Sequence, residues 1–270
     1  DGVVTVSEAK KNETSLEIVE GLQFDRGYLS PYFITNLTNF SVEYEDAYIL
    51  LYDKRLSQLS KPFIEFMSNM IKQDIPVIVI AEDIDDAVLS ALIANKSRGI
   101  LRTCAVKAPG YGETRLQMLE DIAVLTGGKV ISPDKGMTFD KITLDDLGRA
   151  KKVVIDSKKT TIIDGLGDSE KIKKRIEELK TLIEKSNSTF ERQKLQERLG
   201  KIAGGIAVIN VGADTELELK EKKDRIEDSL YATRAAIEEG IVLGGGMALI
   251  NASKRITNKS DNTDVNIGYE

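Results

Sequence analysis

The feature that most constrains the fold is a regular alternation of strand-like and helix-like segments between about residues 45 and 135. Strands are predicted at residues 47–51, 76–81 (PVIVIA), 101–106 (LRTCAV) and 129–132 (KVIS). Helices are predicted between them at residues 61–72, 85–98 and 116–126, with Asp83 or Asp85 as the N-cap of the second and glycines ending the last two. This alternation predicts an α/β layer with a core sheet.

A helical hairpin is predicted after Asp168. Apolar residues recur there at heptad-like spacing on both sides of a break at residues 186–189, namely Ile172, Ile176, Leu179, Ile183, Leu195, Leu199 and Ile202. Ser188 and Glu191 have the spacing of a capping box. Each limb is too short for a sustained coiled coil, which favours a hairpin packed on its own domain. The alternative function for the chain is that of a structural or oligomerisation module, which would use the hairpin at residues 170–202.

Strand-like segments occur near both ends of the chain. They lie at residues 3–6 and 16–19, and again at 206–211 (IAVINV) and 215–219 (TELEL), before a helix from about residue 220 to 239. We infer that the two ends belong together and that the central part is inserted between them. The chain would enter the inserted part at Gly21 and would leave it at Gly204 and Gly205. These glycines could supply hinge freedom, although turn formation also explains them.

Composition excludes several classes of function. A net charge of −6 makes nucleic acid a poor partner, because the chain would repel a phosphate backbone. The absence of His and the single Cys104 exclude internal disulfides, Cys/His zinc clusters and a His-based triad, so no metal site is expected. Cys104 is expected to be a buried strand residue. No apolar run approaches the ~20 residues of a membrane span, so no membrane partner is expected.

Two apolar patterns exceed what a core requires. The stretch FDRGYLSPYF, residues 24–33, holds four of the chain's fifteen Phe and Tyr residues, yet Gly27 and Pro31 favour a loop. The segment at 61–72 has two stripes, although a helix on a sheet needs only one. These stripes are Phe63/Phe66/Met70 and Ile64/Met67/Ile71. On the next helix, two sets compete for the inner face: Val88, Ala91, Leu92 and Asn95 against Leu89, Ile93 and Ala94.

Several segments, taken in order, resemble the large subunit of the group I chaperonins, the GroEL-type protein-folding cage. They are EGLQFDRGYLSPYF, AEDI, VKAPGYGETR, DIAVLTGGKVIS, TTIIDG, KLQERLGKIAGGIAVINVGA and ELKEKKDRIEDSLYATRAAIEEGIVLGGG. The resemblance extends from about residue 1 to 256.

The resemblance implies a domain organisation. Residues 20–206 would form an apical domain with a β-sheet core flanked by helices and a helical hairpin. Residues 1–19 and 207–239 would form the two halves of a small α+β intermediate domain into which it is inserted. Residues 240–270 would begin the return into a truncated equatorial domain. We therefore expect the chain to be cut from a longer protein, without the equatorial phosphate loop and metal-binding Asp, and inactive as an ATPase alone.

The resemblance also implies an apical groove that binds unfolded polypeptides and the co-chaperonin, a small lid subunit. Its substrate-binding residues would be Tyr28, Tyr32, Phe33, Ile64, Met67, Leu89, Ile93 and Ala94. A one-residue shift would put Phe63 and Phe66 outward in the first helix. Phe24 is expected to be buried, and Asp25 and Arg26 are candidates for salt bridges that hold the domain's orientation.

For the parent protein, the resemblance implies ATP and Mg as cofactors and sister subunits in a seven-membered ring. None of these cofactors is expected in this segment. Asp228 would orient or deprotonate the water that attacks the γ-phosphate. Gly245 would contact the nucleotide through its backbone, and Gly21, Gly205 and Gly240 would be hinges. The expected location is an organelle matrix, plastid or mitochondrial, or the bacterial cytoplasm.

Overall fold

A computed structural model describes residues 3–9, 12–255 and 262–269. It divides into two compact units, each built from two stretches of chain. The first comprises residues 1–7 and 14–210, and the second comprises residues 8–13 and 211–270. The four-part division expected from the sequence, with boundaries after residues 19, 206 and 239, stays a prediction.

The first unit contains a seven-stranded sheet and a three-stranded sheet. Its strands are β1 (Val3–Glu8), β2 (Ser15–Val19), β3 (Gly21–Phe24), β4 (Val42–Leu56), β5 (Val77–Ile84), β6 (Thr103–Lys107), β7 (Val130–Ile131), β8 (Gly148–Ile155), β9 (Thr160–Gly165) and β10 (Ile206–Val211). Its helices are α1 (Lys61–Lys72), α2 (Asp86–Ser97), α3 (Gly112–Thr126), α4 (Ser169–Lys185) and α5 (Thr189–Ala203). The predicted alternation of strands and helices from β4 to β7 is confirmed.

The larger sheet has the order β3-β9-β8-β4-β5-β6, and β7 pairs with β4. Strands β4, β5 and β6 are parallel neighbours. Both crossovers, through α1 and through α2, therefore step in the same direction across the sheet. Because such crossovers are almost always right-handed, α1 and α2 lie side by side on one face. The crossover through α3 steps back to β7 beside β4, which places α3 on the opposite face.

The centre of this sheet explains its apolar runs. Residues 77–81 of β5 are all fully buried, because helices cover both faces of a parallel sheet. Cys104 on β6 is also fully buried, as predicted. Gly127, with φ 74°, is the left-handed C-cap of α3, which confirms the glycine stop expected there.

The three-stranded sheet has the order β1-β10-β2, so strands from the two ends of the chain share one sheet, as predicted. Ile206 and Val208 of β10 are buried with Ile163. Gly21 lies where this packing is closest. A Cβ at this position would stand 2.4 Å from the Ile162 carbonyl oxygen and 2.6 Å from Ile206 Cδ1. Close packing therefore accounts for this glycine, and its role as a hinge remains untested.

The predicted helical hairpin is formed by α4 and α5. Ser188 caps α5 by accepting a hydrogen bond from the Glu191 N–H at 3.3 Å, while the Glu191 carboxylate accepts from the Ser186 hydroxyl at 2.9 Å. The capping residue is thus confirmed, but the full capping box is not, because the Glu191 carboxylate binds the Ser186 hydroxyl and not the Ser188 N–H. The apolar stripe faces inward, with Ile172, Leu179, Leu195 and Ile202 buried. The hairpin packs on α3 within its own unit, as expected.

The second unit contains α6 (Glu216–Glu239), α7 (Met247–Ser253) and α8 (Thr263–Tyr269). The predicted strand at 215–219 is wrong, because those residues begin α6. Thr215 accepts a hydrogen bond from the Glu218 N–H at 3.2 Å and so caps the helix. Two polar contacts tie the unit's stretches together, from Asn12 to Asp214 at 2.7 Å and from Lys223 to Glu8 at 3.2 Å. Across the described ranges, no helix combines the length and apolarity needed to traverse a bilayer.

Candidate functional site: the surface of α1, α2 and the Tyr32 turn

Helix α1 presents a single wide apolar stripe to the core. Ser60 caps it by accepting a hydrogen bond from the Phe63 N–H at 3.4 Å, and Pro62 lies in the first turn. Phe63, Phe66 and Met70 are buried. The Phe139 ring packs against both phenylalanines, with ring centroids 5.0 Å and 6.1 Å apart.

Met67 belongs to the same stripe and is only 6% exposed, so the expectation that it faces outward is wrong. The reason is helical geometry, since residues 63, 66, 67 and 70 follow the i, i+3, i+4, i+7 spacing of one face. The alternative register, with Phe63 and Phe66 outward, is wrong for the same reason. Ile64 is 48% exposed and is the large apolar side chain that α1 offers to solvent.

Helix α2 buries Val88 and Leu92, one turn apart. Leu89 and Ile93 are half-buried and pack at the edge of the core, while Ala94 is exposed. The set that contains Val88 and Leu92 thus occupies the inner face, and the competing set lies at the edge or outside.

The N-terminus of α2 lies beside a cavity of about 560 Å³. Asp85 is the N-cap residue, but its carboxylate pairs with Arg55 and makes no capping hydrogen bond. Across the cavity, Lys107 lies 2.8 Å from Asp83 and, as its hydrogen-bond donor, lowers the pKa of that carboxyl. Leu29 and Leu89 also line the cavity, so its lining combines apolar side chains with these charged pairs.

The aromatic stretch forms a loop that ends in a short 3₁₀ turn, Pro31–Phe33. The Leu29 N–H donates to the Ala105 carbonyl of β6 at 2.9 Å, which fixes the loop to the sheet edge. The Ser30 hydroxyl then caps the turn by accepting a hydrogen bond from the Tyr32 N–H at 3.3 Å. We call Pro31–Phe33 the Tyr32 turn.

The turn separates the side chains of neighbouring residues. Tyr32 is 71% exposed, whereas Phe33 is fully buried, so the expectation that Phe33 lines a binding surface is wrong. A 3₁₀ turn places successive side chains about 120° apart, which sends one ring outward and the next into the core. Tyr28 is half-buried, and Phe24 is buried, as predicted.

Arg26 makes a different contact from the one expected. Its guanidinium lies 5.2 Å from the centre of the Tyr111 ring, a cation–π contact. A hydrogen bond from Arg26 lowers the pKa of the Tyr111 hydroxyl. The proposed salt bridges of Asp25 and Arg26 that control domain orientation stay a prediction.

Sequence reasoning missed Lys96, which joins α2 to the Tyr32 turn. Its Nζ donates to the carbonyl of Tyr32 at 2.9 Å and to the carbonyl of Ile34 at 2.8 Å. Nothing in the spacing of the sequence signals this contact, because the lysine and its acceptors are more than sixty residues apart. The structure therefore brings together Tyr32, Lys96 and the outer residues of α2.

The residues expected to serve ATP lie in the second unit. Asp228 is exposed on α6, and Gly245 has φ 62° in the turn before α7. Gly240, with φ 82°, ends α6. Among the described residues, no group of three or more Asp, Glu, Cys or His could hold a metal ion.

Comparison with known protein families gives a match over the whole chain. The model of the TCP-1/cpn60 chaperonin family matches residues 1–270, and so covers both compact units.

Proposed function

This chain belongs to the TCP-1/cpn60 chaperonin family, and we propose that it binds non-native polypeptides through α1, α2 and the Tyr32 turn. A chaperonin role follows from the family. The finer features, a group I subunit with an apical groove that works in ATP-dependent folding, are our proposal. The observation that carries it is the exposure of Ile64 on α1 and of Tyr32 on the turn that is hydrogen-bonded to α2.

The chemistry of this surface suits a ligand without a fixed sequence. Ile64, Leu89, Ile93 and Ala94 offer aliphatic surface on two neighbouring helices, and Tyr32 adds an exposed ring. An apolar segment laid against them would gain roughly 25 cal/mol for each Å² of apolar surface removed from water. This gain requires no specific hydrogen bonds, so many different unfolded chains can compete for the surface.

The same surface is proposed to receive an apolar segment of a co-chaperonin. Substrate proteins and oligomeric partners in general accord with the family. A seven-membered ring and a lid subunit are the specific forms that we propose. Both ligands would bind by apolar burial and would therefore exclude each other.

ATP and Mg enter the proposal only for the longer protein. There, Asp228, which is exposed on α6, and the open backbone at Gly245 would serve the nucleotide site of that protein.

Paired substitutions test the proposed surface. Ile64→Ser with Tyr32→Ser removes two exposed apolar side chains, so the fold should be retained. Leu182→Ser with Phe190→Ser is a matched control, because Leu182 is also 48% exposed and both residues lie on the hairpin. We expect the first pair to abolish both suppression of aggregation of a denatured test protein and binding of a labelled apolar peptide. Unchanged activity in a folded first variant, judged by circular dichroism, would refute the surface.

A further inference from the structure

Lys96 lies in the last turn of α2, and its ammonium points away from its own helix toward the Tyr32 turn. An ammonium has three donors, and two of them are used by the carbonyls of Tyr32 and Ile34. The Ile34 N–H in turn donates to the Pro31 carbonyl at 3.0 Å and closes the turn. The lysine thus binds the carbonyl of the residue that carries the exposed ring and the carbonyl of the residue that ends the turn.

The contact has an energetic cost that argues for its specificity. Lys96 is half-buried, and burial lowers its pKa. A buried ammonium is unfavourable unless acceptors replace its lost water. The two carbonyls supply that replacement, so Lys96 and the turn are most stable when they are in contact.

The position of the contact links it to the binding surface. Ile93 and Ala94 precede Lys96 on α2 by three and two residues, and Tyr32 itself provides one of the acceptors. The ring itself is exposed, so its position relative to the outer residues of α2 depends on the buried Phe33 beside it and on the Lys96 hydrogen bonds. Without the Lys96 bonds, the backbone at Tyr32 and Ile34 would be held less firmly against α2 and would have to be ordered when the ligand binds, and ordering lowers affinity.

We propose that Lys96 is a positioning residue that fixes the Tyr32 turn against α2 and so prepares the polypeptide-binding surface. This inference rests on the proposed function of that surface. It assigns Lys96 no contact with the ligand.

The test compares Lys96→Met, which keeps the length of the side chain but removes the donors, with Lys96→Arg, which keeps a cation and donors. Lys72→Met is the control, because Lys72 is an exposed lysine in the last turn of α1. The chain has no Trp, so Tyr32→Trp introduces a single fluorophore that reports on the turn. Each lysine variant is made with and without this reporter, and binding of a labelled apolar peptide is measured without it.

We expect Lys96→Met to lower the fluorescence anisotropy of the reporter and to raise the Kd of the peptide about 3- to 10-fold, the size of effect expected from ordering a short segment on binding. Lys96→Arg should keep the anisotropy and the peptide Kd close to those of the chain with Lys96. Lys72→Met should change neither the anisotropy nor the Kd. In a double-mutant cycle, the effects of Lys96→Met and Tyr32→Ser on Kd should be less than additive.

Two results would overturn the inference in distinguishable ways. If Tyr32→Ser weakens peptide binding but Lys96→Met does not, the binding surface stands and the positioning role is refuted. If Lys96→Met lowers the anisotropy while neither substitution changes Kd, the turn does not contribute to binding. In that case the part of the proposed function that includes Tyr32 fails as well.

Discussion

Arg198 of α5 binds both carboxylate oxygens of Asp121 on α3, with Nε 2.7 Å from Oδ2 and Nη2 2.9 Å from Oδ1, and both side chains are almost completely buried. Arg175 of α4 adds a third bond to the same carboxylate at 2.9 Å. One acid therefore holds both helices of the hairpin. This anchor lies on the side of α3, the face of the sheet opposite to α1 and α2.

Removing the shared acid should destabilise the first unit. Asp121→Ala leaves two buried or half-buried guanidinium groups without their carboxylate, and we expect a loss of about 3–5 kcal/mol in the free energy of unfolding. Denaturant unfolding followed by circular dichroism measures it. Glu170→Ala is the control, since Glu170 forms an exposed pair with Lys173, and it should cost less than about 1 kcal/mol. Equal effects of the two substitutions would contradict the anchor.

The two faces of α1 predict opposite results for neighbouring positions. Met67→Ala should cost about 2–5 kcal/mol, because it opens a cavity in the core. Ile64→Ala removes a half-exposed side chain and should cost no more than about 1 kcal/mol. Thermal unfolding gives the order of stability, while peptide binding should respond in the reverse order once both proteins are folded. A stable Met67→Ala variant would show that the residue faces outward after all.

Glycines in the first unit differ in what surrounds them. A Cβ on Gly27 would lie 2.2 Å from the Ser157 carbonyl carbon, so Gly27→Ala must displace backbone and should destabilise by more than about 1 kcal/mol. Gly200 lies within α5 and has open space where its Cβ would be, so Gly200→Ala should stabilise by about 0.5–1 kcal/mol. Chemical denaturation of both variants checks this difference in sign.

Asp146 should contribute stability that depends on pH. A hydrogen bond from Lys129 at 2.7 Å is the main cause of its lowered pKa, and the Thr143 N–H donates a second bond. The folded pKa lies below the ordinary value of 3.8, so this stability is present above that value and is lost as the pH falls through the folded pKa.

Asp146→Asn should therefore lower Tm at neutral pH, and the difference in Tm from the unsubstituted chain should shrink as the pH falls through the folded pKa, where the carboxyl becomes protonated in both states. Glu184→Gln, at an exposed position on α4, is the control and should show little difference at neutral or at low pH. A difference in Tm that stays constant across this pH range would indicate that the shape of the Asp146 side chain, and not its charge, provides the stability.

The exposed apolar residues of the hairpin test the alternative role in oligomerisation. Leu182 and Phe190 are accessible on α4 and α5, while the remaining stripe is packed inward. We expect Leu182→Ser with Phe190→Ser to leave the molar mass unchanged in light scattering, because the hairpin is anchored on its own unit. A variant that dissociates from a larger assembly would favour the oligomerisation module.

The alternation of strands and helices could be predicted because apolar periodicity reports local burial. It identified β4 to β7 and both helices of the hairpin. The periodicity left β8 and β9 unassigned, where lysines at 151 and 152 interrupt the apolar residues. It also assigned TELEL to a strand, although the Thr215 cap and the charged residues that follow continue as α6.

The candidate site was less predictable because its key relationships are not periodic. Met67 fits the spacing of both stripes of α1, and the packing of Phe63 and Phe66 against Phe139 shows which face of the helix is inward. Phe33 is buried because the turn at Pro31 rotates it inward. Contacts such as Lys96 to the Tyr32 carbonyl join parts of the chain far apart in sequence, and residue type alone does not reveal them.

The pairing of β2 with β10 has a consequence for biosynthesis. Val19 pairs with Ile206, so β1 and β2 are translated before β10 and cannot complete their sheet until β10 has been made. The intervening strands of the larger sheet find their partners among themselves and can assemble sooner. Nascent chains that stall between residues 19 and 206 should therefore carry β1 and β2 without their shared partner strand, exposed to proteases and to aggregation.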